Sequence, residues 1–205
     1  MGFRAADLAK ASDTIAAAAS AAAPELNALD GQLGDGDLGI TVSKGWAEAK
    51  ATELPDDLGQ AFLALSKAFQ RASSSSFGTL MATGFMAAAK ATKGREEADW
   101  VEVAPILAAA RDAMMARGKG NLGDKSVLDA MDAAARAADG HTDPDALLPA
   151  VKTALADCLD HFRGEPNRLG RARMFGEKSR GLDDPGMLAL QRMVDALGQR
   201  QHERE

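Results

Sequence analysis

The chain has 205 residues, a formal net charge of −6, 46% hydrophobic and 4% aromatic content, no tyrosine and a single cysteine, Cys158. That length supports one domain with a substantial core, and packing by alanine, leucine and methionine favours close-set helices over a sheet. The acidic balance excludes a general nucleic-acid binder, which needs a basic face, and one cysteine excludes an intrachain disulfide.

The N-terminal apolar runs are broken by Asp7, Lys10 and Asp13, so no signal-peptide core is expected. Ala6 stands where a myristoylation signal has a hydroxyl. No segment reaches membrane-spanning length, and a cytoplasmic protein is the expectation.

In chain order, residues 5–22 read as a helix ended by Pro24, and a shorter helix over Glu25 to Leu29 leads into "LDGQLGDGDLGI" (29–40). A third helix starts near Leu38 and runs towards Ala51. The clearest period follows, because Leu58, Phe62, Leu65 and Phe69 form one apolar stripe. It ends in the serine-rich loop "RASSSSFGT", after which Leu80 to Ala91 is helical. Val103, Ile106, Leu107, Ala110 and Met114 mark the next helix, closed by Gly118. After "GKGNLGD", Asp124 is expected to cap a helix through Ala138. Asp143 caps another, with Pro144 at its first position, to about Phe162. "RGEPNRLGRARMFGEKSRGLDDPG" is the longest irregular stretch, and Met187 to Leu197 is the last helix. No strand, linker or repeat is expected. The reading is a single all-α domain over residues 1–205, an antiparallel bundle of about eight helices.

Four loops exceed bare connections, and such loops usually serve function. Gly34, Gly36 and Gly39 match the G-x-G-x-x-G dinucleotide fingerprint. No strand precedes them, and Asp35 and Asp37 would repel a phosphate, so that match is rejected. An EF-hand fails because Thr41 or Trp46, not glutamate, would fall at position twelve. What remains is Asp30, Asp35 and Asp37 around one turn. Unpaired they would repel one another; a hard divalent cation relieves that and leaves sites for phosphate oxygens. The helix starting at Leu38 adds its amides and positive dipole end.

"SSSSFGTL" places hydroxyls and the amides of Gly78 and Thr79 at a helix start, suited to phosphate contact or to an ordinary capped turn. "GKGNLGDKS" is not a Walker motif, because Asp124 intervenes before Lys125 and no strand precedes it; Lys125 remains a candidate phosphate contact. Arg171, Arg173, Lys178 and Arg180 give the last loop its positive charge, against a bland reading as solvated surface.

In order and spacing, "LDGQLGDGDLGI", "RGKGNLGDKSVLDA" and "GRARMFGEKSRGLDDPG" resemble the nucleotide-binding L subunit, or C-terminal domain, of dihydroxyacetone kinases, over nearly the whole chain. The resemblance implies an antiparallel eight-helix barrel with ADP or ATP at one end, held through two Mg²⁺ ions on Asp30, Asp35 and Asp37. It implies nucleotide contacts at Leu38, Gly39, Ile40, Thr41, Ser76, Phe77, Gly118, Val127, Arg171, Asp183, Asp184 and Pro185. Arg171 would neutralise phosphate charge with help from Lys178. The sequence departs from the family's pattern where Leu38 stands for histidine, Ser74 and Ser75 for glycines, Phe77 for serine, and Leu182 and Asp183 for a His-Gln pair.

In this family a histidine on a separate K subunit holds the substrate. His141, His161 and His202 lie in no motif here, so the resemblance implies a K-type partner bringing a hydroxy-ketone or polyol. Whether ADP exchanges for ATP or is recharged by a phosphotransferase-system phosphocarrier stays open, as does a homodimer. The alternatives are a non-catalytic nucleotide-sensing module docking on a regulator and a plain helical scaffold.

Overall fold

The computed structural model describes residues 2–197. Its α-helices are α1 (Ala5–Leu33), α2 (Leu38–Lys50), α3 (Leu58–Ala72), α4 (Ser76–Ala91), α5 (Val103–Gly118), α6 (Val127–Ala138), α7 (Pro144–Arg163) and α8 (Pro185–Leu197), and short 3-10 helices cover Trp100–Glu102 and Ala172–Ser179. Each packs on the next in sequence, and α8 returns onto α1, so the ring closes. Neighbours packed side by side, most of them joined by short connections, run antiparallel. As a result α2, α4, α6 and α8 all begin at the same end of the ring, where residues 34–37, 73–75, 119–126 and 164–184 connect the helices. These are the four loops singled out in the sequence.

The helix boundaries have local causes. Asp57 caps α3 by accepting from the Gln60 amide at 2.8 Å, and Leu58, Phe62, Leu65 and Phe69 all face the core as their period requires. Trp46, Phe69 and Phe85 meet at ring distances of 5.4–6.0 Å, an aromatic centre among small residues. Asp143 accepts from the amides of Asp145 and Ala146, with Pro144 next to it, as expected. The buried apolar residues form one contiguous cluster. No helix among the described residues is long and apolar enough to cross a membrane.

Three expectations are corrected. Pro24 does not end the first helix; α1 runs through it. Both Pro24 and Ser20, whose carbonyl loses its usual partner, are exposed, so that group is open to solvent while packing against α2 and α8 holds the helix. The cap of α6 is Ser126, not Asp124: its hydroxyl accepts from the Leu128 amide at 3.3 Å and Asp129 reaches back to the Ser126 amide at 2.9 Å. Asp124 instead closes the preceding turn through the Asn121 amide at 2.8 Å. Two three-residue strands also exist, β1 (Gly2–Arg4) and β2 (Glu97–Asp99), antiparallel with Phe3 opposite Ala98. They are too short to show a period in sequence.

Candidate functional site

The last turn of α1 carries Asp30, and the chain turns through residues 34–37 before α2 begins. Asp30 Oδ2 accepts from the amides of Asp37 at 2.9 Å and Leu38 at 3.2 Å. Its other oxygen lies against Gly34, where a Cβ would come within 2.4 Å of it. Gly36 has φ +77°, a left-handed conformation that glycine adopts freely. These glycines let the turn fold back on the helix end. One carboxylate oxygen from each of Asp30, Asp35 and Asp37 then lies within 4.8 Å of the others. Such an all-oxygen, partly exposed set fits a hard cation such as Mg²⁺. The Arg171 guanidinium pairs with the Asp35 carboxylate, so the fourth loop reaches the first.

Gly39 serves packing, because a Cβ there would lie 2.1 Å from the Ala23 carbonyl oxygen. Asn27, one turn before Asp30, accepts from the Ile40 amide at 3.3 Å. The i−3 spacing from Asp30 was the available signal for Asn27, and sequence reasoning missed it. Thr41 is buried, with its hydroxyl oxygen 3.5 Å from that of Ser73, which joins the first loop to the second.

At the second loop Ser75 caps α4, its hydroxyl accepting from the Gly78 amide at 3.0 Å, and the Thr79 amide bonds the Ser75 carbonyl at 2.9 Å. Both amides expected to face phosphate are therefore spent within the helix start. Ser76 and Phe77, in the first turn, precede them. Leu38, Phe77, Val127 and Pro185 are all buried at the starts of their helices. A Cβ on Gly186 would lie 3.4 Å from Val127 and 3.7 Å from Phe77, so α4, α6 and α8 begin side by side. Gly118 ends α5 against Leu80, where a Cβ would lie 3.2 Å from that side chain.

Lys125, expected as a phosphate contact, turns into the interior. It is fully buried, with Nζ donating to the backbone carbonyls of Leu182 at 2.7 Å, Glu165 at 2.8 Å and Ser179 at 3.0 Å. Desolvation drives its pKa down. Asp183 pairs with Arg163 at 2.8 Å. Asp184 is buried, accepting from the Met187 amide at 2.9 Å and from Asn167 Nδ2 at 2.8 Å, and burial lifts its pKa to about 6. Asn167, unremarked in the sequence, is buried with its own Oδ1 lacking a hydrogen-bond partner. Lys178 and Arg173 are exposed on the segment following Arg171, while Arg180 pairs with Glu177 at 2.5 Å.

A groove of about 430 Å³, lined by Ser73, Ser74, Thr79 and Arg117 among others, opens beside the start of α4. A larger one, about 740 Å³, lies between α6 and α7, lined in part by Asp132, Arg136, Cys158 and His161. Burial pushes the Cys158 thiol up to about 11, so it is not a poised nucleophile. His161 packs edge-on to Phe162 on α7, His141 lies on the opposite end of the ring, and His202 falls outside the described residues.

Residues 32–199 match the model of the DAK2 domain. The chain belongs to the DAK2 domain family. Among curated relatives, this DAK2 chain is 30% identical over 184 residues to the L-erythrulose 1-kinase of Mycolicibacterium smegmatis, covering 85% of this chain and 32% of that one. It is 25% identical over 179 residues to the ADP-binding subunit DhaL of the PEP-dependent dihydroxyacetone kinase of Escherichia coli, covering 84% and 85%. The chain thus spans about a third of the erythrulose kinase and most of the DhaL subunit. The dihydroxyacetone kinase of C. freundii, solved with AMP-PNP and Mg²⁺, superposes with a TM-score of 0.75 at 24% identity over 98% of this chain and 35% of that one. That likeness speaks to the fold alone.

Proposed function

We propose that this chain is the nucleotide-binding, phosphoryl-transfer subunit of a dihydroxyacetone-type kinase, working in the cytoplasm with a separate K-type subunit that presents a short hydroxy-ketone. The reading is supported by the names of the relatives, dihydroxyacetone kinase subunits and erythrulose kinases among them. The observation that carries it is the convergence, at one end of the closed ring, of the Asp30, Asp35 and Asp37 carboxylates with four helix N-termini.

The three aspartates would hold Mg²⁺, two ions by family resemblance, with ADP or ATP resting on them. A divalent cation held there would supply positive charge to offset that of the phosphates. The chain's own residues set the rest. The helix starts at Leu38, Ser76, Val127 and Pro185 aim dipoles at an anion. Leu38, Phe77 and Val127 make an apolar floor that excludes water beneath it. Arg171, already on Asp35, turns to phosphate charge, with Lys178 exposed nearby. The aspartates are ligands rather than bases, because a metal-bound carboxylate is a poor proton acceptor.

The test is reconstitution. Calorimetry should show Mg²⁺-dependent binding of ADP to the chain. The chain with ATP and dihydroxyacetone or erythrulose should yield sugar phosphate only when a K-type subunit is added. Binding without transfer in the full mixture would favour the sensing module, a reading to which the buried Leu38 and Phe77 lend weight. No binding at all would leave only a scaffold. Whether bound ADP exchanges with free ATP, or needs a phosphocarrier, is read from the same mixture with labelled nucleotide.

A further inference from the structure

The Lys125 side chain belongs to no part of the chemistry above, yet it is among the largest fully buried side chains of the described residues. Lysine is almost never fully buried unless its charge is compensated. Its backbone is also left-handed, with φ +58°, an uncommon state for a residue with a Cβ. The surroundings over-determine this placement.

Nζ carries three protons, and three backbone carbonyls meet them: Leu182 at 2.7 Å, Glu165 at 2.8 Å and Ser179 at 3.0 Å, with the Arg163 carbonyl at 3.5 Å. Arg163 and Glu165 stand where the 164–184 connection begins, and Ser179 and Leu182 where it ends. One ammonium therefore draws both ends of the loop together. The surrounding bonds pull the same way. Asn167 Nδ2 donates to the Lys125 carbonyl and to Asp184, each at 2.8 Å, and the Asn167 amide donates to Ser179 Oγ at 2.8 Å. The Gly181 amide bonds the Arg163 carbonyl at 2.7 Å, and the Arg168 amide bonds the Asp124 carbonyl at 2.8 Å. Between the pinched ends lies Arg171, reaching across to Asp35 on the first loop.

We propose that Lys125 is a positioning residue for Arg171: by gathering backbone carbonyls from both ends of the 164–184 connection it fixes the base of that loop, so that Arg171 is held over the aspartate turn. A connection this long, left open at its base, would spread an exposed arginine over many positions, and closing the base removes that freedom before any ligand arrives. The nucleotide consequence rests on the function proposed above; the clamp itself does not.

The test compares the parent with Lys125→Met, Arg171→Ala and the double variant. Hydrogen exchange of residues 164–182 is expected to quicken about tenfold or more in Lys125→Met while α1 to α4 keep the parent's protection. Each single substitution should weaken Mg²⁺-ADP binding about tenfold, as loss of a charged hydrogen bond does. The double variant should be no weaker than Arg171→Ala, because both changes remove the same contact. Loop protection equal to the parent's, or losses of affinity that multiply, would overturn the assignment. A parent that binds no Mg²⁺-ADP would defeat the functional reading while the exchange measurement still decides the clamp. Should Lys125→Met not fold, reductive methylation of the parent decides it: Lys125 should resist while Lys119 and Lys178 react, and equal reactivity refutes the clamp.

Discussion

Asp184 is a carboxyl group taken out of water, capping α8 through the Met187 amide and steadied by Asn167, with its pKa raised to about 6 by burial. The folded chain therefore binds this proton more tightly than the unfolded one. The group's contribution is most favourable below about pH 4 and declines as pH rises towards about 6, beyond which it is flat. A carboxyl-carbon NMR titration should show one aspartate with a midpoint near 6 that vanishes in Asp184→Asn. The stability of the parent relative to that variant should fall by about 3 kcal/mol over the same window. At the aspartate turn the expectation is functional. Asp35→Ala or Asp37→Ala should weaken Mg²⁺-ADP binding by about thirtyfold or more, because a charged ligand is lost, while the ligand-free melting point barely moves. Binding at the parent's strength would remove these aspartates from the site.

Helix α1 is longer than its sequence advertises. The exposed Pro24 costs it one backbone bond, so Pro24→Ala is expected to stabilise the chain by about 1–3 kcal/mol, read as a melting midpoint raised by several degrees. A lowered midpoint would mean that α1 needs the proline's shape to follow its neighbours. The cap of α6 carries the opposite sign. Ser126→Ala removes the hydroxyl that satisfies the Leu128 amide and should cost about 1 kcal/mol in chemical denaturation. Both positions misled the sequence reading in the same way. Proline and aspartate are strong local signals, but packing against α2 and α8 overrode the first, and a turn through Asn121 claimed the second.

The ring as a whole is held by its core rather than by its ion pairs. Most of those pairs are exposed at both partners, as in Arg192–Glu25 with side chains 38% and 47% exposed, and exposed pairs contribute about 0–1 kcal/mol each. Phe69 is different: it is fully buried and packed on Trp46 and Phe85. Phe69→Ala should destabilise the ring by about 3–5 kcal/mol in denaturant titration, whereas raising salt should change stability little. Closure also makes the site. An even number of antiparallel helices in a closed ring sets alternate N-termini at one end, so four loops far apart in sequence surround one place.

Period and punctuation along the chain were enough to establish helices, their approximate number, the four loops and the acidic turn. Apolar spacing and local caps are written in neighbouring residues, and the spacing of Leu58, Phe62, Leu65 and Phe69 reads directly as a buried face. The expected nucleotide contacts came from family resemblance rather than from residue chemistry alone. Partners distant in sequence were another matter. That Arg171 meets Asp35, that Thr41 approaches Ser73, and that Lys125 turns inward to carbonyls near residues 163–182 follow only from how the ring closes. A lysine beside a glycine loop has the same local signature whether it faces phosphate or the interior, because burial is a property of the packed helices and not of the residue.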